Sequence, residues 1–194
     1  MLTIIMGKAC SGKNAVVDEL KKSGFKQIVT YTSRPRRRGE RDGREYHYIS
    51  QEEFADKMKS GFFAETKSYN VGGKEWWYGS PVDEIVDASR DDKNNVIILT
   101  PKGVSDVLSI LNKHFSDCKT KVIYLYANQS TIFKRFKQRK DKNDTIQRRM
   151  DADNRDFRYA TDIANHIVYN NDGENIENVA KRIIKHVSRN KQTE

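Results

Sequence analysis

A glycine-bounded loop that ends in a lysine is the segment of this sequence best suited to chemistry. The loop consists of Gly7, Lys8, Ala9, Cys10, Ser11, Gly12, Lys13 and Asn14. Two glycines five positions apart and a following lysine are typical of a loop whose backbone N–H groups converge on phosphate oxygens. The helix that follows adds the partial positive charge of its N-terminus, and the lysine adds a full charge. The alternative is an ordinary strand-to-helix turn in which the glycines only permit tight geometry.

The position after the lysine departs from the usual form of such a phosphate-binding loop (P-loop). A Ser or Thr hydroxyl usually stands there and meets Mg²⁺, whereas this chain has Asn14. An amide carbonyl can still offer Mg²⁺ one oxygen, directly or through water. We therefore expect metal binding at Asn14 to be weakened and not abolished.

A second cationic segment lies between residues 34 and 44, which include six arginines in eleven positions. So many guanidinium groups in one loop favour an anionic partner, and a phosphate group would supply one. The alternative is a basic surface loop without a ligand. Further along, Arg135 and Arg139 are four positions apart and would share one face of a helix. Arg149 follows the charged segment 140–144, which separates that helix from the next.

Strands and helices alternate along the chain, which predicts an α/β fold with a parallel sheet and helices on both faces. We predict strands at 2–6, 27–32, 62–69, 76–80, 96–100, 121–126 and 166–169. We predict helices at 13–22, 51–60, 81–88, 102–113, 132–140, 145–158 and 176–187, with Ser80 capping the third. The segment 33–80 interrupts the alternation and predicts a small β-rich insertion at the carboxyl edge of the sheet.

The composition fits one α/β domain and narrows the functional classes. The chain has 194 residues, of which 32% are charged and 36% hydrophobic, with a formal net charge of +9. No apolar run reaches the roughly 20 residues of a membrane span, and we expect no signal peptide. Cys10 and Cys118 form neither a disulfide framework nor a zinc spacing, which favours a cytoplasmic location. The positive charge favours polyanionic ligands, either nucleotides or nucleic acid.

These features together resemble the guanylate kinase family over nearly the full length of the chain. The most specific segment is Ser33–Ser50, which matches the GMP-binding segment of that family almost position by position. The P-loop precedes this segment at the expected distance, and Glu65 and Tyr78–Ser80 follow it. Val168–Asp172 is similar to the last strand and turn of the family.

The resemblance implies a nucleoside-monophosphate kinase of purine nucleotide metabolism, which transfers a phosphoryl group from ATP to GMP or dGMP with Mg²⁺ as cofactor. It implies a P-loop NTPase-type core at 1–32 and 81–194, a helical lid at about 132–158, and a GMP-binding insertion at 33–80. The partners would be small-molecule nucleotides, without nucleic acid or membrane, and the protein would be a monomer or a homodimer. The chemistry is mainly the positioning and neutralisation of two polyanions.

By resemblance, the residues divide into three groups. Lys13, Arg135, Arg139 and Arg149 would act on the transferring phosphate. The P-loop, Gly7 to Asn14, would bind ATP, with Asn14 as a weak metal ligand. The substrate-binding residues would be Thr30, Arg34, Arg37, Tyr46, Glu65, Tyr78, Ser80 and Thr100. Without the resemblance, Glu65 would be interpreted as a strand acid facing water and Tyr78 as a core aromatic.

Two further positions depart from the family pattern. Ile98 and Thr100 stand where the family usually has acids that help to order the metal water and the substrates. Three alternatives therefore stay open. The chain could be a kinase of another small phosphate, such as ribose 1,5-bisphosphate, a family that it resembles in the P-loop and in the Asn-Asn-Asp-Gly turn. It could be a guanylate kinase-like binding module without turnover, or a basic nucleic-acid binder.

Overall fold

The computed structural model describes residues 1–71, 73–115, 117–138 and 145–188. The strands are β1 (Leu2–Met6), β2 (Lys26–Gln27), β3 (Tyr31–Thr32), β4 (His47–Tyr48), β5 (Phe63–Val71), β6 (Lys74–Pro81), β7 (Asn95–Ile98), β8 (Thr120–Tyr126) and β9 (His166–Tyr169). The helices are α1 (Lys13–Lys22), α2 (Gln51–Lys59), α3 (Val82–Arg90), α4 (Pro101–His114), α5 (Gln129–Gln138), α6 (Ile146–Asp156), α7 (Ala160–Ile163) and α8 (Ile176–Ser188). Arg139 lies outside the described residues.

The main sheet is parallel and has the strand order β2-β7-β1-β8-β9. Its central strand β1 is buried along its whole length, which explains why its sequence is a continuous apolar run. Successive side chains point to opposite faces, so that Ile4 packs in the core under α3 and α4 while Ile5 packs in the core under α1 and α8. The predicted parallel sheet with helices on both faces is therefore confirmed.

A second sheet has the order β4-β3-β6-β5 and contains the long antiparallel hairpin β5–β6. Helix α2 covers this sheet, and its Phe54 stacks on Phe63 with ring centroids 4.6 Å apart. The start of α2 was predicted from a capping box, and the Ser50 hydroxyl does accept a hydrogen bond from the Glu53 N–H. The small second sheet thus has its own aromatic packing.

Several predicted boundaries are wrong, and each has a physical reason. The segment 27–32 is not one strand, because β2 pairs with β7 in the main sheet whereas β3 pairs with β6 in the second sheet. The hairpin strands β5 and β6 are longer than predicted, because cross-strand pairing continues to Val71 and Lys74. The predicted lid helix from 132 begins earlier, at Gln129, and the short helix α7 was not predicted.

We expect strand β1 to be the part of the fold where shortening a side chain destabilises the protein most. Ile5 is completely buried, so Ile5→Ala leaves a cavity and should lower the free energy of unfolding by about 3 kcal/mol. The matched control is Ile167→Ala on β9, since Ile167 is 39% exposed and should cost about 1 kcal/mol or less. Urea unfolding measures both variants, and equal losses would contradict this assignment of the core.

Candidate functional site: a phosphate-binding loop facing a cationic aromatic cluster

The P-loop connects the carboxyl end of β1 to the start of α1, and its backbone needs conformations that favour glycine. Gly12 has φ = +96° and precedes the first residue of α1. A Cβ on Gly12 would lie 2.3 Å from the Asn170 side-chain nitrogen, so the position is closed to any side chain. Cys10 also has a positive φ of 58°, although it carries a side chain. The loop is thus held in a specific shape.

Two side chains from elements distant in sequence hold the loop through its carbonyl groups. Asn170, just after β9, donates its side-chain N–H to the Ser11 carbonyl at 2.8 Å. Arg135 on α5 donates to the carbonyls of Cys10 and Ser11 at 3.3 and 3.2 Å. These bonds occupy the loop carbonyls, which leaves the loop N–H groups as its anion-binding side. Arg135 therefore supports the loop in this structure.

Two lysines concentrate positive charge around the loop. Lys13 folds back and donates to the carbonyls of Gly7 and Lys8 at 2.7 and 3.0 Å. Lys8 donates to the side-chain oxygen of Asn154 on α6 at 2.7 Å. Both ammonium groups are thereby held within reach of a phosphate at the loop.

A second cationic cluster is built in the small sheet around Arg34, which is 8% exposed. The Arg34 guanidinium donates to both carboxylate oxygens of Glu40, at 2.9 and 3.0 Å, and it lies 5.7 Å from the ring centroids of Tyr46 and Tyr48. Tyr78 packs edge-on against Tyr46 with centroids 5.6 Å apart. The predicted residues Arg34, Tyr46 and Tyr78 are therefore brought together.

The raised pKa values of Arg34 and Tyr46 keep the guanidinium charged and the Tyr46 phenol protonated at neutral pH. Burial lowers the pKa of Arg34, but the hydrogen bond and charge of Glu40, together with Tyr78, more than offset this and the net pKa is raised. Burial raises the pKa of Tyr46 to about 12, so its hydroxyl remains a proton donor at neutral pH. Such a set of donors suits a phosphate dianion.

Two of the predicted substrate residues, Arg37 and Thr30, contact the segments of this cluster through backbone groups. Arg37 is exposed, and its backbone N–H donates to the Glu40 carboxylate at 2.7 Å. Thr30 is half-buried, and its carbonyl accepts a hydrogen bond from the His47 N–H at 2.9 Å. Both lie on the segments that surround Arg34, and their predicted roles toward a ligand stay predictions.

Glu65 is the one predicted base-reading acid, and the structure places it against Ser80 and α4. The Ser80 hydroxyl donates to the Glu65 carboxylate at 2.7 Å. Ser80 therefore does not cap α3 as predicted, and Pro81 is the N-cap residue of that helix. A Cβ on Gly103 would lie 3.2 Å from the Glu65 carboxyl carbon, which shows how closely α4 approaches. Burial raises the pKa of Glu65, although the bond from Ser80 acts in the opposite direction.

The positions that depart from the family pattern carry structural roles. Thr100 caps α4, since its hydroxyl oxygen accepts from the Gly103 N–H at 3.2 Å. Ile98 is partly buried and packs against the core under α1 and α8. Neither position offers a carboxylate to a metal or to a substrate.

Asn14 is exposed at the start of α1 and is the remaining candidate metal ligand at the loop. In the described part of the chain, no three His, Cys, Asp or Glu residues group as a metal site. Mg²⁺ needs only one or two protein ligands when phosphate oxygens and waters complete its octahedron. The Asn14 amide oxygen would fit the place of one such ligand.

Helix α6 brings to the site three side chains that sequence reasoning missed. Asp153 accepts a hydrogen bond from the Ala9 N–H of the loop at 2.7 Å, Asn154 meets Lys8, and Asp156 pairs with Lys67 of β5 at 2.5 Å. Burial raises the pKa of Asp153, and Arg149, one turn before it on α6, acts in the opposite direction. The only signal in the sequence was the spacing of Arg149, Asp153 and Asp156, which places them on one helical face.

Fold and site together define an α/β protein with a glycine-bounded loop before α1 and a separate cationic cluster around Arg34. A family model described as guanylate kinase matches residues 1–187 of the chain. The chain belongs to the guanylate kinase family. Family membership and the prediction of an enzyme of the nucleoside-monophosphate kinase class are thereby confirmed.

Individual relatives are distant. The chain is 27% identical to a guanylate kinase of Sulfurimonas denitrificans, over 97% of this chain and 88% of the relative. It is 32% identical to one of Lactiplantibacillus plantarum, over 55% of this chain and 52% of that relative. The crystal structure of guanylate kinase from Anaplasma phagocytophilum superposes with a TM-score of 0.70 at 18% identity, over 100% of this chain and 87% of that one. That similarity supports the fold.

The Arg34–Glu40 pair should make stability depend on pH. Burial disfavours the Glu40 anion, but the bonds from Arg34, the Arg37 N–H and Tyr48 outweigh it and lower the pKa of Glu40 below 4.5. A lowered pKa contributes stability above the unfolded-state pKa, and this contribution is lost as pH falls through the folded-state pKa.

Glu40→Gln should therefore flatten the fall in the free energy of unfolding below about pH 5. The control is Glu75→Gln, on the exposed part of the same sheet. Urea unfolding at several pH values between neutrality and acid measures the slope. An acid slope in Glu40→Gln as steep as in the unmodified protein would show that the pair does not carry this dependence.

Proposed function

We propose that this protein catalyses ATP + GMP, or dGMP, to ADP + GDP, or dGDP. The observation that carries the proposal is the half-buried Glu65 carboxylate, which accepts a hydrogen bond from Ser80 and is closely approached by α4 at Gly103. A carboxylate accepts both the N1–H and the N2–H₂ of guanine, whereas adenine has no such pair of donors. A base that lacks these donors leaves the remaining lone pairs of the Glu65 carboxylate unsatisfied beside the bond from Ser80, which costs on the order of 1–3 kcal/mol.

The two cationic sites suit the two substrates. The P-loop with Lys13 would hold the phosphates of ATP, and Arg34, Arg37, Tyr46 and Tyr78 would hold the GMP phosphate, with Thr30, Ser80 and Thr100 nearer the nucleoside. Phosphoryl transfer has a loose transition state, so in-line positioning and charge stabilisation do most of the catalytic work.

The remaining charged residues would act on the transferring group. Arg149 stands on α6 beside the loop, Arg135 stands on α5 beneath it, and Arg139 was predicted from the same face of α5. Guanidinium groups there would stabilise the equatorial oxygens and help to exclude water. Mg²⁺ bound with ATP would neutralise charge between the phosphates, with Asn14 as its one protein ligand from the loop.

The organisation and setting follow from the same proposal. The core would comprise 1–32 and 81–194, with a lid at about 132–158, and 33–80 would form the GMP-binding insertion. The described helices include none that is long and apolar enough to cross a membrane. We propose a cytoplasmic location, a monomer or a homodimer, and small-molecule nucleotides in preference to nucleic acid as the partners.

The decisive experiment measures ADP formation from ATP and Mg²⁺ with GMP, dGMP, AMP, UMP and ribose 1,5-bisphosphate offered separately. We expect turnover with GMP or dGMP. Turnover only with ribose 1,5-bisphosphate, or GMP binding without turnover, would reject the proposal in favour of another kinase or of a binding module. Salt-sensitive nucleic-acid binding that GMP does not relieve would indicate the third alternative, a basic nucleic-acid binder.

Lys13→Ala should abolish this turnover while GMP still binds, because the ammonium belongs to the ATP site and not to the GMP site. Lys21→Ala is the matched control, since Lys21 is an exposed lysine on the same helix. Calorimetric GMP titration and coupled ADP assays measure the two effects. Loss of GMP binding in folded Lys13→Ala would show that the two sites are not separate.

Glu65→Gln should lower kcat/KM for GMP by roughly 10- to 100-fold, because an amide accepts one guanine N–H and opposes the other. The ratio of GMP to IMP activity should fall as well, since IMP lacks the N2 amine. Because the pKa of Glu65 is raised, GMP affinity should weaken as pH falls toward that pKa, and Glu65→Gln should lose this dependence.

Glu75→Gln serves as the control for loss of charge on the same sheet. An unchanged GMP to IMP ratio in Glu65→Gln would mean that another group reads the base.

A further inference from the structure

Helix α6 places a carboxylate on the anion-binding side of the P-loop. Asp153 Oδ2 accepts the Ala9 backbone N–H at 2.7 Å. Asp153 is half-buried, and the charges of Lys13, Arg149 and Lys8 all act on it. An N–H group of this loop, with a ring of cations, is the environment that a phosphate oxygen requires. A carboxylate and a phosphate cannot both accept the same Ala9 N–H in this geometry.

Further contacts hold α6 in this place. Asn154, the next residue, accepts from Lys8 at 2.7 Å, and Asp156 pairs with Lys67 on the second sheet at 2.5 Å. The helix thus connects the loop to the small sheet. Asp153 does not reach the loop as an isolated, freely rotating side chain.

The position is costly for a carboxylate. Burial raises the pKa of Asp153 and outweighs the Ala9 N–H, Lys13, Arg149 and Lys8, which all act to lower it. The anion therefore occupies the loop without being fully compensated there. A polyphosphate, with more charge and more acceptor oxygens, would satisfy the same donors better.

We propose that Asp153 is an internal anion that occupies the P-loop in the nucleotide-free protein and must be displaced when a polyphosphate binds. It thereby sets the affinity of the loop for phosphates. The inference rests on the proposed function only in taking the loop as the phosphate site. It assigns to Asp153 a competitive role, opposite in sign to that of Lys13.

The test uses sodium tripolyphosphate without metal as the probe, on the full chain. Asp153→Asn keeps the shape of the side chain and should bind tripolyphosphate roughly tenfold more tightly, which is the scale of one charge-assisted hydrogen bond. The matched control is Asp151→Asn, which removes the same charge from an exposed position of the same helix. It should change the affinity less than about twofold.

Two further measurements make the result decisive. The Ala9 amide proton resonance should shift upfield in Asp153→Ala, which removes the acceptor, and should move downfield again when tripolyphosphate is added and accepts this N–H. Asp153→Ala, whose folding is checked by its thermal transition, should show the same gain in affinity. ADP formation from ATP and GMP by the unmodified protein reports separately on the proposed function. Absence of that activity, together with a gain in tripolyphosphate affinity in Asp153→Asn, would reject the function and keep this inference.

Equal tripolyphosphate affinity in Asp153→Asn and Asp151→Asn would overturn the inference. Weaker Mg²⁺-dependent ATP binding in Asp153→Asn, with metal-free tripolyphosphate binding unchanged, would also overturn it. That result would make Asp153 a metal-site residue instead.

Discussion

The backbone N–H groups of the P-loop need an anion, and much of this structure follows from that requirement. The carbonyls of Cys10 and Ser11 accept hydrogen bonds from Asn170 and Arg135, which leaves the N–H groups as the anion-binding side of the loop. In this chain the Asp153 carboxylate meets one of them. The second cationic site repeats the arrangement, since the Arg34 guanidinium is held by both oxygens of Glu40. Each cationic site is therefore balanced by a carboxylate of the chain, which lets strong positive charge be assembled without a bound ligand.

The parallel sheet explains why these groups meet at one edge. β1, β7 and β8 run in the same direction, so the P-loop and the Thr100 cap of α4 follow strands at the same end. β9 delivers Asn170 to the same edge. The small sheet approaches through Glu65, which contacts the start of α4. Helix α6 joins the two parts, because one face of it meets both the loop and Lys67.

Local patterns predicted the parts of this arrangement that depend on local forces. Four features were recognisable from the sequence: the apolar run of β1, the loop, the Ser50 cap of α2 and the terminal helix α8. Burial periodicity and capping can be recognised within a few consecutive residues. The partners of Ser80 and Asp153 were not, because they lie 15 and 144 residues away in sequence. Helix α6 is polar along its length and has no buried residues, so burial periodicity could not show which of its faces meets the loop. Its acids became functional candidates only when the fold placed them at the loop.

The departures from the family pattern differ in how freely an acid could return. At position 98 the side chain packs in the core under α1 and α8, so a carboxylate there would lose apolar contacts and be desolvated unless a cation accompanied it. At position 100 the residue caps α4, and Asp is as good an N-cap as Thr. The fold therefore excludes an acid at one of these positions and admits one at the other. Since Asp153 already supplies a negative charge at the loop from α6, an additional acid at position 100 would increase the negative charge that a polyphosphate meets on entering the site. Asp153 thus places a negative charge at the loop from α6, whereas the strand end of this chain carries the neutral Thr100.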